Sequence, residues 1–134
     1  MLRRSTKLTS LHIRDAYTFN SVHTVISTAA NVTYTAAQIN TTWIDRNTNG
    51  LSRSDTMPTS AQLYTQFGSP EANATFRFWI KNTAGAAETI TILAGTGMTL
   101  VGTMTVAQNN LKEFLLTFNS PTTTTLYSLG TSVF

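Results

Sequence analysis

Apolar and polar residues alternate with a period of two through much of the chain, and this pattern constrains the fold more than any other feature. The segment ATFRFWIKNT (74–83) places Phe76, Phe78 and Ile80 on one parity, with polar residues and Trp79 on the other. Successive side chains of a strand point to opposite faces of a sheet. The segment is therefore predicted to be a strand with one buried face.

Short turns rich in Gly and Asn separate further segments of this kind. Over the last part of the chain, strand starts recur about every 10 to 13 residues, a spacing typical of sandwiches and barrels. Within this series, AGTG (94–97) is predicted to be a hairpin turn. The chain is therefore predicted to be all-β, an antiparallel β-sandwich resembling a single jelly roll with about eight strands. The predicted strands include SVHTVIST (21–28), NVTYTA (31–36), TWIDR (42–46), ETITILAG, MTLVGTMTVAQ, LKEFLLTFNS and TTTTLYSLG.

One segment, MPTSAQLYTQFGSPE, breaks the alternation and predicts one short helix. Thr59 or Ser60 is suited to its N-cap, and Gly68 is suited to its C-terminal end. Leu63 and Phe67 are four residues apart, so both would lie on the helix face that packs on the sheet.

Length and charge suggest one domain preceded by a basic arm. With 134 residues the chain is long enough for a single core, and we assign residues 1–16 to the arm and 17–134 to the β-sandwich domain. An arm of this kind could contact nucleic acid, brace a neighbouring subunit or be solvated. Its few charges do not predict specific nucleic-acid binding. The basic residues of the arm are Arg3, Arg4, Lys7 and Arg14.

The composition of the chain favours packing against other proteins. Charged residues make up 11% of the chain, against roughly 25% in soluble domains, and Thr supplies about a fifth of all residues. A neutral surface avoids the cost of desolvating charges at an interface. The sequence contains no stretch of 18 apolar residues, so no membrane span is predicted.

The stretch DRNTNGLSRSDT (45–56) opens like an EF-hand calcium loop, with Asp45 and Gly50 at its first and sixth positions. The twelfth position, where calcium loops have a bidentate Glu, is Thr56, and the ninth is Arg53. The flanking segments do not have helical patterns. The stretch is therefore predicted to bind no metal.

The preferred interpretation of this stretch is a polar turn stabilised by ion pairs. Asn and Gly favour the tight turn at RNTNG. Arg46 and Arg53 are predicted to pair with Asp45 or Asp55, and Gly50 to supply a left-handed backbone conformation.

No other motif indicates catalysis. The six acidic residues are scattered, the two histidines lack further metal ligands at a suitable spacing, and G-x-S-x-G does not occur. The chain is predicted to be a non-enzymatic protein without cofactor or metal.

Trp79 is the remaining candidate for a contact residue. It falls on the polar parity of its strand, between Arg77 and Lys81. A tryptophan in this setting either lies in a subunit interface or stacks on a sugar or base. The interface is the preferred interpretation.

Several of these blocks, in this order, resemble a β-sandwich domain found in capsid and spike components of large double-stranded DNA viruses and some phages. The blocks are RNTNGLSRSDTMPTSAQL, FRFWIKNTAGAAETITILAGTGMTLVGTMTVAQNN and TTTTLYSLG. They follow the family theme R-x-x-x-G-x-x-R-x-D-x-x-P-T-A, with Ser60 between Thr59 and Ala61 as a small departure. The first 40 residues carry no part of the resemblance.

The resemblance implies a virion component that forms a symmetric homo-oligomer, a pentamer or trimer, beside other capsid proteins. A vertex (penton) protein or a minor capsid or cement protein of a giant icosahedral virus would fit. The alternative it leaves open is the receptor- or glycan-binding tip of a spike or fibre.

Overall fold

The computed structural model describes residues 22–134, which form nine strands and two short helices. The basic arm with Arg3, Arg4, Lys7 and Arg14 lies outside the described residues. The strands are β1 (Thr24–Ile26), β2 (Trp43–Arg46), β3 (Arg53–Thr56), β4 (Thr75–Asn82), β5 (Ile90–Leu93), β6 (Met98–Val101), β7 (Thr105–Val106), β8 (Asn110–Ser120) and β9 (Thr123–Val133); the helices are α1 (Ala36–Asn40) and α2 (Ser60–Gln66).

The described chain is mostly β and contains two sheets, as the alternation predicted. A six-stranded sheet has the order β1-β2-β4-β8-β9-β6, and a three-stranded sheet has the order β3-β5-β7. Buried residues of both sheets belong to one hydrophobic core, an arrangement compatible with a β-sandwich.

Strands β4 and β8 form the centre of the six-stranded sheet and carry much of that core. Phe78 and Ile80 of β4 are fully buried, as are Phe114 and Leu116 of β8. The rings of Phe78 and Phe114 stack with centroids 5.3 Å apart. The alternation along β4 thus predicted correctly which of its residues face the core.

The prediction of a wholly antiparallel arrangement is wrong. The pairs β1–β2, β2–β4, β3–β5 and β6–β9 are parallel, whereas β4–β8, β5–β7 and β8–β9 are antiparallel. Alternation reports which face of a strand is buried but not the direction of its neighbours. Long connections, such as the one through α1 between β1 and β2, allow parallel pairing.

The predicted strand NVTYTA is also wrong, because this segment leads into a second helix. Thr33 forms an isolated parallel bridge with Thr56, and α1 begins directly afterwards. Thr35 is the N-cap of α1, and its side chain and that of Gln38 form a reciprocal capping box. Ile39 is fully buried and docks the helix on the core.

Helix α2 is the helix that the sequence predicted. Thr59 is its N-cap and forms a capping box with Gln62. Gly68 follows the helix with a φ of 75°, which suits a glycine after a C-terminus. Leu63 is fully buried and Phe67 packs against the core, so both predicted docking residues are confirmed.

The segment AGTG does not form the predicted hairpin turn. It carries the chain from β5 in one sheet to β6 in the other. Gly95 is buried there against the backbone of Met57 and Pro58. Hairpin and crossover have the same turn residues, so the sequence pattern did not distinguish them.

Candidate assembly surface and its supporting loop

The side of the six-stranded sheet that faces away from the core carries several large apolar side chains, and we call it the outer face. Residues of the outer face alternate with buried residues along each strand, so the strand register shows which residues belong to it. All of them are half-buried or exposed. The outer face comprises Val25, Trp43, Asp45, Thr75, Arg77, Trp79, Lys81, Thr99, Val101, Leu111, Glu113, Leu115, Thr117, Thr125, Tyr127, Gly130 and Ser132.

The two tryptophans lie side by side on β2 and β4, towards the β1 side of the outer face. Trp43 of β2 is the register partner of Trp79 of β4. Their ring centroids are 6.4 Å apart and the planes are inclined by 32°. Both are half-buried, so part of each side chain is exposed. The position of Trp79 beside Arg77 and Lys81 follows the sequence prediction, whereas Trp43 was missed.

Charges on the outer face are few and mostly paired. Asp45 accepts a hydrogen bond of 2.9 Å from Nε1 of Trp43 and lies 3.3 Å from Nε2 of His23. Arg77 Nη1 lies 3.3 Å from a carboxylate oxygen of Glu113.

The second basic residue of the face, Lys81, makes a cation–π contact. Nζ of Lys81 lies 4.1 Å from the ring centroid of Phe134. The two acids Asp45 and Glu113 and the two bases Arg77 and Lys81 therefore leave the outer face with little net charge.

Below the outer face, Arg46 and Asp55 form an ion pair in the core. Both side chains are fully buried. Arg46 donates through Nε to Oδ2 of Asp55 at 2.7 Å and through Nη2 to Oδ1 at 3.2 Å. Its other donors reach the carbonyl oxygens of Thr28, Ala30 and Asn47. All five N–H groups of the guanidinium are thus satisfied.

The carboxylate of Asp55 is equally well satisfied. It accepts hydrogen bonds from the backbone N–H of Val32 at 3.0 Å and from the hydroxyl of Tyr34 at 2.9 Å. Burial, reinforced by the charge of Asp55, raises the pKa of Tyr34 well above its ordinary value. Arg46 lies on β2 and Asp55 on β3, so the pair joins the two sheets and holds the connection between β1 and α1.

The turn between these two strands has the predicted tight conformation. Asn49 and Gly50 both have positive φ values, 55° and 108°. Glu88, which precedes β5, holds the turn by accepting hydrogen bonds from the hydroxyl of Thr48 and the N–H of Gly50. The turn is therefore anchored to the rest of the domain.

The predicted pairing of charges in this stretch is correct for one pair and wrong for the others. Arg46 pairs with Asp55, but Asp45 points to the outer face and binds Trp43 and His23. Arg53 donates to the carbonyl oxygen of Thr48 at 3.1 Å. Adjacent strand residues face opposite sides of the sheet, which separates Asp45 from Arg46.

The carboxylates of this region are engaged in structural contacts. Asp45, Asp55, Glu88 and Glu113 each bind a neighbouring side chain. Within residues 22–134, no three His, Cys, Asp or Glu side chains are grouped closely enough to hold a metal ion. That the chain is not an enzyme stays a prediction.

Two further features carry no obvious chemistry. Lys112 is buried, donates from Nζ to the carbonyl oxygen of Thr103 at 2.8 Å, and has a pKa lowered by burial. An open groove of about 790 Å³ lies between α1 and α2 and is lined only by Thr, Ala, Gln and Tyr side chains.

In the described part of the chain, no helix is both long and apolar enough to cross a membrane.

Comparisons of the chain with models of protein families, with curated proteins and with solved structures find no match. The resemblance to the viral β-domain therefore stays a prediction from the sequence.

Proposed function

We propose that this protein is a structural component of a virus capsid. In this proposal the domain is a single jelly roll in the virion, and copies form a symmetric pentamer or trimer through lateral contacts. The ring would serve at a vertex as a penton, or as a minor capsid or cement protein beside other capsid proteins. The basic arm, with Arg3, Arg4, Lys7 and Arg14, would brace a neighbouring subunit.

The observation that carries the proposal is the outer face. Interface centres are enriched in Trp and Tyr and poor in unpaired charge, and the outer face combines Trp43, Trp79 and Tyr127 with charges that balance. A monomeric domain more commonly presents a polar sheet face to solvent. The sequence resemblance to viral β-domains supplies the link to a capsid, and Arg46 and Asp55 of the resembling stretch form the buried pair beneath this face.

Replacing Trp79 by glutamate is expected to weaken self-association by about tenfold or more, because it replaces a large aromatic contact of the proposed interface with an unpaired charge. The matched control is Leu93→Glu, since Leu93 is an apolar residue 43% exposed on the other sheet. Sedimentation velocity of both variants over a range of concentrations measures the effect. Equal assembly of the Trp79 variant and the unmodified chain would remove the outer face from the interface.

A second candidate function is favoured by the tryptophan pair itself. Two adjacent half-exposed rings flanked by Asp45 and Lys81 offer stacking surfaces and polar groups of the kind that bind sugars. The protein would then be the receptor- or glycan-binding tip of a spike or fibre.

Glycan-array binding distinguishes the two candidates. The spike-tip function predicts binding to a defined glycan that is lost in both Trp79→Ala and Trp43→Ala but kept in Leu93→Ala. The capsid function predicts no glycan signal for the unmodified chain.

A further inference from the structure

The last strand has an open edge that no other strand of residues 22–134 covers. β8 pairs with β9 along its whole length, up to Val133. On the other side, β6 pairs only with residues 124–127. Within the described chain, residues 128–133 therefore have no strand paired on that side, and we call this segment the β9 edge.

The reason that β6 stops there is local. Gly102 follows β6 with a φ of 95°, and a Cβ at this position would lie 3.2 Å from Cβ of Ser128. The chain passes close to Ser128 and then leaves for β7 in the other sheet. The end of β6 thus fixes where the β9 edge begins.

The other sheet edges in the described part of the chain are shorter or covered. β1 has three residues, β6 has four and β7 has two. The edge of β3 is covered by residues 31–34, through backbone hydrogen bonds between Thr56 and both Val32 and Tyr34. Short and covered edges are ordinary means of preventing strand pairing between molecules.

The β9 edge lacks the side chains that usually prevent such pairing. Its sequence, SLGTSV, contains no charge and no proline, although Lys and Pro are the common protecting residues of edge strands. Leu129 is 45% exposed and Val133 is 79% exposed. A bulge lies at the start of the segment, but the register from Gly130 to Val133 is regular.

The sequence of the edge is complementary to itself. In antiparallel pairing centred on Thr131, Thr131 faces its own copy, Gly130 faces Ser132 and Leu129 faces Val133. Aliphatic pairs and Thr–Thr pairs are favourable across strands, and no like charges meet. We propose that the β9 edge pairs with the same edge of a second copy about a twofold axis.

Charge favours a second copy as the strand that pairs with the β9 edge, and the size of the contact indicates how strong the pairing is. The second copy brings an uncharged strand to an uncharged edge, whereas the basic arm would bring Arg and Lys to an edge without an acid. Pairing of residues 129–133 alone is a small contact compared with the roughly 1,600 Å² of a standard interface. The isolated chain should therefore dimerise weakly through this edge.

The inference does not depend on the capsid role, but it would extend it. Rings close through heterologous contacts, whereas an isologous contact makes a twofold dimer. The β9 edge would therefore join one ring to another, using a surface different from the lateral contacts within a ring.

Charge substitutions at Thr131 test the pairing, because this residue is exposed and would face itself at the twofold axis. Thr131→Lys and Thr131→Glu should each abolish the concentration-dependent dimer in the full chain, and an equimolar mixture should restore it. Thr105→Lys, on an exposed position of β7, is the matched control and should leave the dimer unchanged. Sedimentation velocity provides the measurement, and circular dichroism verifies folding.

A cysteine at the same position gives a second, independent readout. The chain contains no cysteine, and facing residues of an antiparallel pair have a Cα separation of about 4.5–5.5 Å, within the range of a disulfide. Thr131→Cys should form a disulfide-linked dimer on mild oxidation, and Thr105→Cys should not.

Three outcomes would overturn the proposal. If Thr131→Cys stays monomeric while its thiol reacts readily with maleimide, the edge has no partner. If the Thr131→Cys variant is monomeric and its thiol is protected from maleimide, the chain's own residues cover the edge. If larger oligomers persist in Thr131→Lys while the mixture restores no dimer, the edge inference fails but ring assembly stands.

Discussion

Replacing Asp55 by alanine is expected to lower the free energy of unfolding by about 3–5 kcal/mol, the cost of breaking a buried pair by removing one partner. The substitution leaves the guanidinium of Arg46 fully buried with its charge uncompensated. It also removes the acceptor of the Val32 N–H and of the Tyr34 hydroxyl. Urea denaturation followed by tryptophan fluorescence measures the change.

Asp45→Ala is the matched control for this prediction. Asp45 lies in the same motif, but its side chain is 25% exposed and its partner His23 is 52% exposed. Exposed ion pairs contribute about 0–1 kcal/mol, so the control should unfold close to the unmodified chain. If Asp55→Ala costs no more than Asp45→Ala, the buried pair does not hold the two sheets together.

Replacing Gly95 by alanine is expected to cost about 3 kcal/mol or more, the upper end of the range for overpacked sites. A Cβ at this position would lie within 3.0 Å of the carbonyl oxygens of both Met57 and Pro58. These are backbone atoms, so the crossover between the sheets or the start of α2 has to move.

Gly85→Ala provides the comparison for the crossover glycine. Gly85 is exposed, has no positive φ, and a Cβ there would meet nothing within 4 Å. Its substitution should change the unfolding free energy by less than about 0.5 kcal/mol, the usual limit for surface positions. Thermal and urea unfolding of the two variants give the difference, and equal stability would contradict the assigned close approach.

The buried face of β4 could be predicted from the sequence because the signal is local. Phe78 and Ile80 alternate with polar residues over a long strand, and period two directly reports the buried side. The direction of neighbouring strands depends on how distant segments meet, and alternation contains no information about it. Parallel and antiparallel pairings therefore could not be separated.

Helix α1 shows where a local signal was present and overlooked. Thr35 and Gln38 have the same T-x-x-Q spacing as Thr59 and Gln62, and both pairs form capping boxes. The β-branched residues of NVTYTA led to the prediction of a strand in spite of that spacing. In such short segments, tertiary contacts determine the secondary structure, and here the burial of Ile39 stabilises the helix.

The candidate surface was only half predictable for a related reason. Trp79 lies in a long alternating segment, so its outward direction was evident, whereas Trp43 lies in a strand of four residues. Arg46 falls on the parity of a core residue, yet hydropathy treats arginine as a surface residue. Only its five hydrogen-bond acceptors, brought from separate segments of the chain, explain its burial.

The most direct test of the account is the native mass of the full, unmodified chain at micromolar concentration. The proposed capsid role predicts a discrete symmetric assembly whose mass is three or five times the 14.6 kDa of one chain, or an even multiple of such a ring. A monomer that persists as the concentration is raised, and that does not join assemblies formed by the other capsid proteins, would contradict the proposal.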